Sequence, residues 1–396
     1  MLKKKYLVPM SSPDINQQDK EAVLEVLGTR YLSIGPKIEQ FENAFRDFTG
    51  ASNALGVSSG TTGLHLCVRA ADIQPGDFVI TTPFSFVSSA NVILFEKAIP
   101  VFVDVDSKTG NINPQLVKEA SEDLASGKQD LMTRWLPRKF KSGSGKLKAI
   151  IAVDVFGQPA DYDALRETAE SYSTTLIEDS CEALGAEYKS RKAGVLGDMG
   201  VFAFYPNKQM TTGEGGIVVT NNDHAAEFMK ALRNQGRAPG DTWLEHTYLG
   251  YNYRLDELSA ALGLSQINRL ENLLANRQAV ADLYNARLAS IKGIEIPYVD
   301  PATTRMSWFV YVVRVSQGFN RDIFAAALEE EGIPARPYFS PIHLQPYMVK
   351  QFGFQTGDYP VTEDLGNRSL ALPFSGVMTE KEVDLVCCAI ERCLQQ

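Results

Sequence analysis

The chain has 396 residues, with 44% hydrophobic and 22% charged side chains, the make-up of a soluble globular protein with ample material for a core. A formal net charge of −9 argues against nucleic-acid binding as the main role, while leaving local lysines and arginines free to serve one phosphorylated ligand. No stretch approaches the ~20 apolar residues of a membrane span, and the basic start, Met1 to Pro9, lacks the apolar run of a signal peptide, so the expectation is a cytoplasmic protein with no membrane role. The five cysteines (Cys67, Cys181, Cys387, Cys388, Cys393) have no zinc-type spacing and read as reduced thiols. The four histidines (His65, His224, His246, His343) form no paired metal motif, so no metal site is expected.

In chain order, residues 14–27 predict a helix stopped by Gly28, followed by the turn-rich link Arg30 to Pro36. Ile38, Phe41, Phe45 and Phe48 recur at helical spacing over 37–48. The stretch from Gly56 to Leu66 runs from a strand end into a helix. Its small residues, Ser59-Gly60-Thr61, let backbone N–H groups approach an anion at the helix start, or else form an ordinary Ser/Thr cap. Strands are predicted at 78–81, 101–105 and 150–153, with a helix over 87–96. Strands separated by helices argue for an α/β fold with a mostly parallel sheet sandwiched by helices.

Residues 121–146 interrupt the alternation and read as an insertion. It holds the flexible pattern Ser142-Gly143-Ser144-Gly145 and the basic residues Arg134, Arg138, Lys139, Lys141 and Lys146. A solvated loop is one reading; a basic flap that reaches a diphosphate, with Trp135 stacking on a base, is the other.

The run Thr174 to Glu182 predicts a short strand ending in Asp179. Val201 to Phe204 predicts another, broken at Pro206, which presents Lys208 before the glycine-rich turn Gly213 to Gly216 and the strand 217–220. A lysine between an apolar strand and a glycine turn sits where burial favours the neutral, nucleophilic amine, or where backbone carbonyls hold it as a structural lysine. Asp179 serves either as a ligand-facing carboxylate at a strand's carboxyl end or as a helix cap. An anion cradle, an imine-forming lysine and a strand-end carboxylate together suit pyridoxal 5′-phosphate: the lysine forms the imine, and the carboxylate keeps the pyridine nitrogen protonated.

After residue 265 the pattern changes. A long helix over 258–291 leads to a strand at 308–315, a helix at 321–331, the loop 334–338 and a final helix at 379–394, which suggests a smaller α+β unit. The expected organisation is an N-terminal arm and helix (1–25), a large α/β domain (26–265, with the 121–146 insertion) and a small C-terminal domain (266–396).

At Ser59-Gly60-Thr61, Glu178-Asp179, Lys208 with Thr212 to Gly216, and Gly250-Tyr251-Asn252-Tyr253-Arg254, the sequence resembles the sugar aminotransferases of the DegT/DnrJ/EryC1/StrS group, within the aspartate-aminotransferase fold. The resemblance runs from about Tyr31 to about Val386. It implies transfer of an amino group from glutamate to a keto sugar carried on a nucleotide, with pyridoxamine 5′-phosphate as the intermediate form of the cofactor. Lys208 and Asp179 are then the catalytic pair, and Gly60, Thr61, Phe86, Glu182 and Asn252 further cofactor residues. Phe86 stacks on the pyridine ring. Asn252 crosses into the neighbouring subunit's site, which makes the active unit a homodimer. Tyr31 and His343 are the implied substrate contacts.

Two departures from the family pattern stand out. Glu182 occupies a place where the family often has Gln or His facing the cofactor's phenolic oxygen, and a carboxylate there repels a phenolate unless protonated or turned away. Ala203 stands where many members have a phosphate-binding Ser, which shifts that load to Gly60, Thr61 and Asn252 at a cost of about 1–3 kcal/mol. Two alternatives stay open: the dehydratase branch of the same fold, which carries His in place of the imine lysine, and a regulatory protein that binds cofactor without turnover.

Overall fold

The computed structural model describes residues 6–140 and 145–395. Two helices come first, α1 (Gln17–Leu27) and α2 (Pro36–Thr49). A β–α alternation follows: β1 (Asn53–Val57), α3 (Gly60–Ala70), β2 (Phe78–Thr81), α4 (Ser88–Phe95), β3 (Ile99–Phe102), α5 (Pro114–Ala125), α6 (Gln129–Met132), β4 (Leu147–Val153), α7 (Tyr162–Ser171) and β5 (Thr175–Asp179). After the small hairpin β6 (Glu187–Tyr188) and β7 (Arg191–Lys192) come β8 (Met199–Ala203), β9 (Gly216–Thr220), α8 (Asp223–Arg233), α9 (Glu257–Ile267) and α10 (Leu270–Leu288). The last third holds β10 (Ile294–Glu295), β11 (Thr303–Arg305), β12 (Tyr311–Val315), α11 (Arg321–Glu330), β13 (Arg336–Pro337), α12 (Pro346–Phe352), α13 (Pro360–Arg368), β14 (Ser369–Leu372) and α14 (Glu380–Leu394).

The main sheet has the order β1-β9-β8-β5-β4-β2-β3. Pairs among β8, β5, β4, β2 and β3 are parallel, and only the pairs made by β9 are antiparallel. Strands covered on both faces need apolar side chains throughout, and β4 is buried from Ala149 to Val153. One consequence positions everything that follows. β9 starts where its neighbours end, so Glu214 to Gly216 share a sheet edge with the residues that follow β1, β2, β5 and β8.

The C-terminal third forms a second, four-stranded sheet, β10-β12-β14-β13, whose core includes Tyr311, Phe324, Leu370 and Val386. Helix α10 belongs to both cores: Leu270, Leu273 and Leu274 pack with Phe41 and Phe204, while Val280, Tyr284 and Leu288 pack with Tyr311. Val8 also packs into the C-terminal core, and Phe374 N–H donates to Met10 O. Among the described residues no helix is long and apolar enough to cross a membrane.

Two expectations need correction. The helix expected over 258–291 is broken between α9 and α10 at Arg269, which leaves helical geometry (φ −120°, ψ 18°). The cause is distant in sequence. The Arg269 guanidinium bonds Asp14 at 3.0 Å and Asp19 at 2.7 Å, and Gln266 donates to Asp19 at 2.8 Å, so the junction is tied to the start of α1. Among its described residues, the segment 121–146 is tied down rather than a free flap. Its first residues complete α5, Trp135 packs into the core while its indole N–H donates to Asp123 at 2.7 Å, and Lys139 N–H donates to Phe352 O at 3.0 Å. Arg134 pairs with Glu119 and Asp123, and Arg138 with Asp358. Lys141 and the Ser142-Gly143-Ser144 run lie outside the described residues.

Candidate active site

The shared sheet edge opens into a cavity of about 500 Å³. Six of the residues singled out from the sequence line it together: Gly60, Thr61, Phe86, Asp179, Glu182 and Lys208. Each is delivered by a strand end. Gly60 and Thr61 begin α3 directly after β1, Phe86 precedes α4 after β2, Asp179 closes β5, and Lys208 sits on the turn after β8.

Gly60 is required by packing. A Cβ there would lie 2.7 Å from Cys181 Sγ and 2.8 Å from Ala203 Cβ. Ser59 caps α3 by accepting Thr62 N–H at 3.2 Å, and Thr61 Oγ1 bonds Ser88 Oγ at 2.8 Å. The positive end of this helix therefore faces the cavity with small residues at its first turn, a ready site for an anion.

Asp179 is 5% exposed. Ser89 Oγ donates to its Oδ2 at 2.6 Å, while Oδ1 takes a long contact, 3.4 Å, from Cys181 N–H, whose thiol also bonds the carboxylate. The carboxylate is thus fixed in orientation and keeps accepting capacity on the cavity side. Behind it lie two more buried acids. Ser180 Oγ donates to Asp154 at 2.7 Å and lies 3.5 Å from Glu178, and burial pushes Asp154 up to about 7 and Glu178 up to about 8.

The Lys208 amine lies 3.6 Å from Glu182 Oε1 and 3.7 Å from the centre of the Phe309 ring. Its backbone is held by buried Arg277, which donates to the carbonyls of Lys208 (2.6 Å), Asn207 (3.1 Å) and Phe309 (3.1 Å); burial lowers this guanidinium to about 10. One residue thus ties the lysine turn to the segment that supplies Phe309. Glu182 Oε2 accepts Phe156 N–H at 2.9 Å. Burial raises the Glu182 carboxyl, with Lys208 and the Phe156 N–H pulling the other way.

Three predicted residues are not brought to this cavity. His343 is fully buried, its Nε2 3.0 Å from Glu363 and its ring edge-on to Tyr359, so it packs the C-terminal region and does not face a ligand there. Tyr31 is exposed, with Arg30 over its ring at 5.0 Å. Asn252 is exposed, and its backbone pairs with that of Asn234.

Sequence reasoning missed Ser88, Asn207, Phe309 and Tyr338, which line the cavity, and Ser89, which is buried against Asp179. The paired serines at a helix start beside Phe86 were a usable signal, as was Asn207 beside the lysine, whose buried Oδ1 has no partner among the described residues. Phe309 and Tyr338 arrive from the C-terminal third and carried no local signal.

The set fits a phosphorylated pyridine aldehyde: a helix start shaped for an anion, an amine for the aldehyde, a fixed carboxylate for a protonated ring nitrogen and an aromatic face for the ring.

Residues 13–391 match the DegT/DnrJ/EryC1/StrS aminotransferase family. GDP-perosamine synthase of Caulobacter vibrioides is 35% identical over 98% of each chain. The spore coat polysaccharide biosynthesis protein SpsC of Bacillus subtilis is 33% identical over 98% of this chain and 97% of its own. Among solved structures, Helicobacter pylori PseC, an aminotransferase involved in the biosynthesis of pseudoaminic acid, matches with a TM-score of 0.87 at 27% identity, over 99% of this chain and all of its own. The α/β architecture expected from the strand pattern is the one these aminotransferases share.

Proposed function

We propose that this chain, which belongs to the DegT/DnrJ/EryC1/StrS aminotransferase family, moves an amino group from glutamate to a ketone on a nucleotide-linked sugar, in the biosynthesis of an amino sugar. The family is pyridoxal-phosphate-dependent, and the cofactor supplies an aldehyde for the amine and a ring that accepts the electron pair released at the donor's α-carbon. The observation that carries the reading is one cavity holding the Lys208 amine, the oriented Asp179 carboxylate and the start of α3.

In this reading the Lys208 amine would hold the cofactor and, when free, would serve as the base for the proton on the donor's α-carbon. Asp179, fixed by Ser89, holds a proton on the ring nitrogen. Gly60 and Thr61 take the phosphate, with Thr61 oriented by Ser88. Phe86 covers one ring face. Glu182, 3.6 Å from the Lys208 amine, stands beside the cofactor's attachment point. Phe309 and Tyr338 close the cavity wall and exclude water. Tyr31, exposed, is left free to meet the sugar nucleotide, and Asn252, exposed and absent from the lining of its own cavity, serves the cavity of a second copy in a homodimer. GDP-perosamine synthase, which aligns over nearly the whole chain, is named for a sugar carried on GDP, which supports a nucleotide-linked acceptor.

The test is spectroscopic. The protein loaded with pyridoxal 5′-phosphate should absorb in the visible, glutamate should bleach that band, and one member of a panel of keto-sugar nucleotides should restore it and gain an amine by mass spectrometry. A band indifferent to glutamate and other amino acids would overturn the reading.

A further inference from the structure

The loop that carries Asn252 is clamped to the helix that forms the anion cradle. Tyr251 and Tyr253 lie on one side of an extended segment, as alternate residues must, and Asn252 faces the other way. Their rings stack with centroids 4.7 Å apart and planes 9° apart. Both hydroxyls end on α3: Arg69 Nη1 donates to Tyr251 OH at 2.6 Å, and His65 Nδ1 lies 3.0 Å from Tyr253 OH. Glu96 locks the two α3 side chains in turn, 2.7 Å from His65 Nε2 and 3.6 Å from Arg69 Nε. Burial lowers the His65 imidazole despite Glu96, consistent with a neutral ring that donates to Glu96 from Nε2 and accepts the Tyr253 hydroxyl at Nδ1.

The backbone is fixed as firmly. Ser58 N–H donates to Tyr253 O at 2.9 Å, Tyr251 N–H to Leu232 O at 2.7 Å, and Tyr253 N–H to Arg233 O at 3.1 Å. The segment is thus held between the end of β1 and the end of α8, and within 250–254 Asn252 is the exposed residue. Stacking, two hydroxyl bonds and a shared carboxylate are more than a surface loop needs to keep its place; they fix the direction in which one amide is presented.

We infer that His65, Arg69, Tyr251 and Tyr253 are positioning residues that aim Asn252 at the cofactor phosphate of the partner subunit, so that α3 serves its own cavity with its first turn and the partner's cavity with its second and third. The inference rests on the reading that Asn252 acts across a dimer.

Mixed dimers test it. One chain carries Lys208→Ala, so only the other can capture pyridoxal 5′-phosphate covalently, and the affinity of that single site is read by absorbance titration. Tyr251→Phe/Tyr253→Phe, which keeps both rings and removes both hydroxyls, should weaken the site about tenfold when placed on the Lys208→Ala chain. On the lysine-bearing chain it should change affinity less than twofold. Arg69→Met should give the same asymmetry with a smaller fall. An equal fall in both placements, a fall only in the lysine-bearing chain, or no change in either would overturn the inference. Asn252→Ala in the same two placements separates the levels. If it has no effect in trans, the dimer reading itself fails; if it acts in trans while the tyrosine pair does not, only the positioning role fails.

Discussion

Gly60→Ala tests whether the start of α3 is the phosphate cradle. The added methyl would meet Cys181 Sγ at 2.7 Å and Ala203 Cβ at 2.8 Å. These fall roughly 0.7–0.8 Å short of the ~3.5 Å of ordinary contact. Neither neighbour is the far end of a flexible side chain, so the first turn of α3 must shift. Overpacking of this kind costs about 1–3 kcal/mol. If the shift is expressed mainly in cofactor binding, affinity falls about 5- to 150-fold. The assay is titration of the cofactor-free protein with pyridoxal 5′-phosphate, beside thermal unfolding in its absence. Trimming one neighbour, in Gly60→Ala/Cys181→Ala, should recover part of the loss, because only the Ala203 contact then remains. Wild-type affinity for Gly60→Ala would refute the cradle.

Asp179→Asn should keep much of the bound cofactor and lose most turnover, because a neutral amide does not hold a proton on the ring nitrogen; steady-state kinetics beside an absorbance titration decide it. The buried pair Asp154 and Glu178, raised by burial, keeps protons in the folded state that the unfolded chain gives up above about pH 4, so its contribution to stability falls as pH rises from about 4 to about 8, by up to ~1.4 kcal/mol per unit for each proton held. Asp154→Asn should flatten that slope in denaturant titrations across this range; an unchanged slope would count against a protonated pair. Arg134→Ala/Arg138→Ala should leave the Michaelis constant for the sugar nucleotide within twofold, since both guanidiniums are engaged by Glu119, Asp123 and Asp358, and should cost stability no more than about 1 kcal/mol per exposed pair. A large rise in that constant at low ionic strength would restore the flap.

What the sequence made legible has a common cause. Strands buried on both faces must be apolar throughout, so β4 and β8 announce themselves as runs such as Ile150 to Val153. Lys208, Asp179 and Gly60 stand at the ends of such runs, where a polar or very small residue needs a reason. The illegible parts depend on contacts between distant segments. Phe309 meets Lys208 across about a hundred residues, and Arg269 breaks a helical pattern because Asp14 and Asp19 wait for it. His343 was implied as a substrate contact by the family resemblance of its loop, yet its partner is Glu363, inside the C-terminal packing. Trp135 sat among arginines and lysines that suggested a phosphate, while its indole was committed to Asp123.

The central claim is that Lys208 carries the cofactor, and borohydride reduction of the loaded protein followed by peptide mapping addresses it directly. The added cofactor mass should reside on the peptide containing Lys208 and vanish in Lys208→Ala. Stable labelling of any other lysine, with Lys208 unmodified, would contradict the account.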